Sequence, residues 1–150
     1  MELTKIGSIH SEIKEGIDHN WGNIISEIHL LPEYKDAIKG LDDFSHIIVI
    51  FYMHKASFSL EEHLQRKPQG IEELPKIGIF SQRAKHRPNP IGITTVKLLE
   101  IKNDILIVQG LDAIDNTPVL DIKPYFLAFD YPKGEIKEAS WVNTIMDSYF

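Results

Sequence analysis

Cysteine is absent from this chain of 150 residues. Disulfides, thiolate nucleophiles and thiolate-held metals or clusters are therefore all excluded. Long apolar runs are missing too, and none approaches the roughly 20 residues that a membrane-spanning helix needs. The first ten residues, MELTKIGSIH, do not have the basic and then apolar order of a signal peptide. The cytoplasm is the expected compartment, with no membrane partner. Glycine motifs that cradle phosphates are also wanting. No G-x-G-x-x-G, G-x-x-x-x-G-K or G-x-S-x-G occurs, so Rossmann, P-loop and α/β-hydrolase chemistry have no support. Histidine is plentiful, at seven residues, but no H-x-x-x-H or E-x-x-H pair falls on a helical stretch. His46 and His54 share a strand face, yet eight residues of strand hold them roughly 26 Å apart. No metal site is expected.

One further absence is local. Between Glu73 and Glu100 there is no acidic residue, while Lys76, Arg83, Lys85, Arg87 and Lys97 all fall in that window, with His86 beside them. The whole chain carries −6, so eleven basic side chains face 22 acidic ones elsewhere. Positive charge gathered on one segment of an acidic protein is either a solvated loop or the footprint of an anionic partner.

What is present suits a single soluble domain spanning residues 1–150, 43% hydrophobic and 25% charged. Short strand patterns dominate: TKIGSIHS, with Gly7 marking a bulge or close backbone contact, EIHL at 27–30, IGIF at 77–80, ITTVKLLEI at 93–101, ILIVQGL at 105–111 and VLDIKPY at 119–125. HIIVIFYMH at 46–54 is almost wholly apolar, as in a central strand covered on both faces. The KND at 102–104 predicts a hairpin. PEYKDAIKG allows a turn or two of helix ended by Gly40. SWVNTIMDSYF places Trp141, Ile145 and Tyr149 on one face of a C-terminal helix. Residues 57–74 read as a long polar loop. The fold class is mainly all-β, a small antiparallel barrel with short helical segments.

HRPNPIGITT, residues 86–95, carries the chemistry. Residues before proline are confined to extended conformations, so Arg87 and Asn89 are restrained, and Pro88 and Pro90 fix their own φ. Gly92 admits a close neighbour. Such a loop holds Arg83 and Arg87 in set directions, ready for a carboxylate or phosphate. In LDAIDNTPVLDIKPY, Asp115 and Thr117 belong to a turn in which Asn116 takes positive φ. Asp121 sits on an apolar strand and requires a partner, with Arg83, Arg87 and Lys123 as candidates.

GLDDFSHIIVIFYMH, GIFSQRAKHRPNPIG and GLDAIDNTPVLDIKPY resemble, in order, the signature blocks of the TsaA/TrmO family of S-adenosylmethionine-dependent tRNA methyltransferases. The resemblance implies a β-barrel that binds the cofactor without a Rossmann domain. It also implies a homodimer with sites near the subunit interface, and methylation at N6 of threonylcarbamoyl-adenosine beside the anticodon. Cofactor contacts carry over to His54, Lys55, Arg83, Ile93, Val119, Leu120, Asp121 and Ile122. Lys85 and Arg87 are left to face the RNA. A proton acceptor remains open among Asp121, His54, Tyr125 and water. Many bacterial members place a proline- and glutamine-bearing loop against the cofactor where this chain reads GIDHNWGN. Asp18, Trp21 and Gly22 take its place, with Trp21 as an adenine-stacking or a core aromatic. Those members also continue into a separate C-terminal domain, which these 150 residues do not include. The competing expectations are a non-catalytic S-adenosylmethionine-binding regulatory module, and a methyltransferase of the same fold with another substrate.

Overall fold

In the computed structural model, which describes all 150 residues, the alternating runs become strands of a closed barrel. They are β1 (Gly7–His10), β2 (Ile25–Leu30), β3 (His46–Tyr52), β6 (Ile91–Lys102), β7 (Ile105–Gln109) and β8 (Pro118–Pro124). Their order around the wall is β1-β2-β7-β6-β3-β8, and every neighbouring pair is antiparallel. Inward side chains fill the lumen, among them Ile9, Ile28, Ile47, Val49, Phe51, Val96, Leu106, Val108 and Val119. The β1–β8 junction that closes the barrel is its shortest, pairing only Gly7 with Val119 and Ser8 with Pro118.

Local chemistry accounts for the elements. Asn103 takes φ 57° in the tight turn joining β6 to β7, where asparagine tolerates the left-handed region. Asn116 does the same at φ 63°. Gly7 is where a backbone approaches closely, since a Cβ there would lie 2.5 Å from the His29 carbonyl oxygen. Residues 32–38 form a 3₁₀ stretch, and Gly40 follows at φ 86°.

Three expectations are corrected. Residues 57–74 are not merely a loop. They hold α1 (Leu60–His63) and β4 (Gln65–Arg66), which pairs with β5 (Ile77–Gly78) in a separate ribbon. The Ser59 hydroxyl accepts from the Glu62 amide, and Glu61 and Glu62 favour the first turn of α1. β3 is covered on its outer face only in part: Ile47, Val49 and Phe51 point inward, while on the outer face Ile48 is buried, Ile50 half-buried and Tyr52 exposed. After α2 (Leu127–Asp130), the final helix α3 (Trp141–Met146) ends before Tyr149. The Ser148 and Tyr149 carbonyls leave helical pairing and accept instead from the amides of Asn20 and Trp21. Trp21 is a core aromatic, 2% exposed, and its indole N–H donates to the Ile17 carbonyl.

Candidate cofactor site on the outer barrel face

The stiff loop hangs between β5 and β6. Its root is Gln82, buried, whose side-chain amide donates to the carbonyls of Arg66 and Ile77 at 2.9 and 3.0 Å. This fastens the loop to the β4–β5 ribbon. The Arg87 guanidinium turns back and donates to the Gln82 carbonyl at 3.0 Å and toward that of Ala84 at 3.4 Å. Arg87 therefore holds the loop's own backbone instead of facing outward with Lys85, which is exposed. His86 Nδ1 lies 2.8 Å from the Ser57 carbonyl oxygen, and its ring stacks on His63. At the far end the Met53 amide donates to the Pro90 carbonyl, which ties the loop to the end of β3.

These ties bring Arg83 to the side of β6 that faces away from β3, at Ile93. A guanidinium nitrogen of Arg83 donates to the Ile93 carbonyl at 2.7 Å, and its other nitrogens remain available on an exposed side chain. Ile93 pairs across β3 with Ile50, and Ile50 pairs on its other side with Asp121. A register shift after Ile50 marks a bulge in this part of β8. Asp121 finds its partner in Lys123, at 2.8 Å, and accepts from the Ile122 amide at 2.9 Å. Its side chain is 46% exposed, so it stands on the outer surface and not in an apolar interior. The hydrogen bond and charge of Asp121 raise the Lys123 ammonium above its ordinary range.

The remaining candidates divide. His54 and Lys55 follow β3 next to the loop. His54 Nδ1 is buried with no hydrogen-bond partner. Burial first, and Lys55 second, hold this imidazole below its ordinary value of 6.5. Lys55 Nζ donates to the Lys14 carbonyl at 3.2 Å. Leu120 and Ile122 are half-buried. Val119 points wholly into the lumen and its carbonyl already accepts from the Ile6 amide. Tyr125 is not brought to the group: its amide pairs with His46, at the end of β3 opposite His54.

One cluster escaped the sequence. The Tyr149 hydroxyl donates to Asp112 Oδ2 at 2.7 Å, and the Thr94 hydroxyl donates to Asp112 Oδ1. Burial first, then the Asp112 charge, push the Tyr149 phenol far above its ordinary range, with smaller effects from Asp18 and, oppositely, Arg83. No spacing rule links residues 94, 112 and 149. The density of aspartates at 112–121 was the one available signal.

The model of the tRNA-methyltransferase O N-terminal domain matches residues 17–131. The chain belongs to this family. Among TrmO-family relatives, an S-adenosyl-L-methionine-binding protein of Archaeoglobus fulgidus is 38% identical over 129 residues, covering 83% of this chain and 89% of the relative. A "Probable S-adenosyl-L-methionine-binding protein" of Methanothermobacter thermautotrophicus is 50% identical over 105 residues, covering 70% and 72%. The tRNA (adenine(37)-N6)-methyltransferase of Mus musculus is 40% identical over 103 residues, covering 69% of this chain and 23% of the mouse protein. The crystal structure of TrmO from Pseudomonas aeruginosa superposes with a TM-score of 0.74 at 30% identity, covering 93% of this chain and 61% of that one. The chain thus spans about three fifths of the solved TrmO chain. No helix is long and apolar enough to cross a membrane.

Proposed function

We propose that this protein is an S-adenosylmethionine-dependent methyltransferase that acts on tRNA at N6 of adenosine, with threonylcarbamoyl-adenosine beside the anticodon as its target. The observation that carries the reading is Arg83 held on the Ile93 carbonyl by a loop fixed at both ends, with Ile93, Ile50 and Asp121 side by side on neighbouring strands and His54 just past the end of β3. The residues fit the cofactor. Ile50 and Ile93 offer apolar surface, Arg83 has donors left for a carboxylate, and the unpaired His54 Nδ1 is a buried polar atom in want of a partner. When bound, the cofactor supplies an electrophilic methyl group. The protein's share is alignment and exclusion of water. A carbamoyl substituent already acidifies the N6 proton, so Asp121, His54 or water suffices to take it. Lys85 meets the RNA backbone.

The working unit on this reading is a cytoplasmic homodimer of one barrel domain each. Support comes from the surface. Phe126, Leu127, Phe129 and Tyr131 are exposed immediately after β8, as are Ile91, Ile93 and Tyr52 on the site face. The accessible area is 10093 Å², whereas a compact monomer of this mass exposes about 7,800 Å². Large exposed apolar patches mark interaction surfaces.

The test is mass spectrometry of nucleosides from tRNA incubated with protein and cofactor. The expected result is one added methyl on threonylcarbamoyl-adenosine. Cofactor binding with no methylated nucleoside would point instead to a regulatory module, and methyl on another molecule to a different substrate.

A further inference from the structure

The family match ends at residue 131, yet the chain beyond it returns to the site. The amides of Asn20 and Trp21 donate to the carbonyls of Ser148 and Tyr149 at 2.7 and 2.8 Å. Gly22 lies so close to Phe150 that a Cβ would fall 2.6 Å from its carbonyl carbon. Gln69 donates to the Ile145 carbonyl at 3.3 Å. The tail is thus laid along residues 20–22 by backbone pairing, which leaves Tyr149 one direction to point.

That direction is inward, to Asp112. From there a continuous set of contacts leads to the site. The Tyr149 hydroxyl donates to one Asp112 oxygen and the Thr94 hydroxyl to the other. Thr94 directly follows Ile93 on β6, and the Ile93 carbonyl takes the Arg83 guanidinium at 2.7 Å. Thr94 is buried and Asp112 half-buried, so a lost partner there is only partly replaced by solvent. Asp112 is thus joined, through Thr94, to the strand position next to the carbonyl that holds Arg83.

We infer that the C-terminal tail is part of the cofactor site, with Tyr149 acting through Asp112 and Thr94 as a positioning residue for Arg83, and so for the aminocarboxylate end of S-adenosylmethionine. The inference rests on the proposed function for the identity of the ligand. It assigns to residues 141–150 a task in binding and not merely in covering the barrel end. The raised phenol of Tyr149 fits this arrangement, since an ionised Tyr149 beside Asp112 would undo it.

Calorimetry on the full chain tests it, with two ligands and two variants. Tyr149→Phe keeps the ring and removes one hydroxyl, while Asp112→Asn keeps the shape and removes the charge. S-adenosylmethionine carries the aminocarboxylate end, and 5′-methylthioadenosine lacks it. Each variant is expected to bind S-adenosylmethionine about tenfold more weakly, the low end for a hydrogen bond to a charged group. Both should bind methylthioadenosine and tRNA as the unaltered protein does. Equal loss of both ligands would mean that the tail only packs, and overturns the inference, as does undiminished S-adenosylmethionine binding by Tyr149→Phe. If the unaltered protein binds S-adenosylmethionine but methylates no tRNA, the function fails while the split between ligands still upholds the tail's role. If it binds no S-adenosylmethionine, both fall.

Discussion

His54 is a neutral imidazole with one ring nitrogen shut away from any partner. Burial and the nearby Lys55 lower its affinity for a proton, so the unfolded chain takes that proton more readily than the folded one. The contribution to stability is complete above pH 6.5, the ordinary value. It is lost as the pH falls from there through the lower folded value. A melting series from about pH 7.5 to about pH 5 should show this slope, and His54→Gln should flatten it. Asp121→Asn should leave the melting temperature almost unchanged, because a half-exposed pair with Lys123 contributes at most about 1 kcal/mol. It should weaken cofactor binding; an earlier melt with normal binding would mark the pair as structural only. Gly92→Ala should cost about 1–3 kcal/mol by thermal unfolding, because its Cβ would meet the buried Phe51 ring at 2.3 Å. The positive φ of Asn116 was legible in the sequence from its turn neighbours, and the close contact at Gly7 from a glycine set within a strand pattern. The direction of Arg87 and the partner of Asp121 were not. Each of those was decided among several acceptors or donors of equal chemical merit, by packing alone.

The 82–90 loop divides its cations by task. Arg83 holds the Ile93 carbonyl with donors to spare, Arg87 braces the loop, and Lys85 is exposed. Arg83→Ala should lower cofactor affinity about 10- to 150-fold at any salt concentration. Lys85→Ala should leave that affinity alone and reduce the slope of tRNA binding against salt by about one. Calorimetry and a salt titration separate them; collapse of tRNA binding alone in Arg83→Ala would make the loop an RNA clamp. Prolines made the stiffness of this loop readable in advance. Elements as short as α1 and β4 escaped because four and two residues are too few to show a period. Lys97, counted within the basic window, lies six residues along β6 from Ile91, roughly 20 Å from the loop. Nearness in sequence overstated the basic patch.

At the scale of the molecule, the barrel could be anticipated from many short alternating runs with turn residues between them. The outer apolar residues of β3 suggested a second cover, which the single chain supplies over Ile48 but not over Tyr52. Sedimentation of the cofactor-bound protein should give a dimer at micromolar concentration, and Leu127→Ser with Phe129→Ser should give a folded monomer with weaker cofactor binding. A monomeric unaltered protein would remove the shared-site picture. The closing β1–β8 seam, with two residue pairs, joins positions about 110 residues apart in the chain. A contact that closes so long a loop forms against a large entropy, offset by this short ladder and the bonds that flank it from Ile6, Ile9 and Asn116. The seam should therefore zip last in folding and fray first in the native state. In amide exchange, Ile6 and Ile9, which donate across it, should lose their protons well before Val49 and Val96 in the β3–β6 ladder, so that the cylinder opens like a split sleeve along one line.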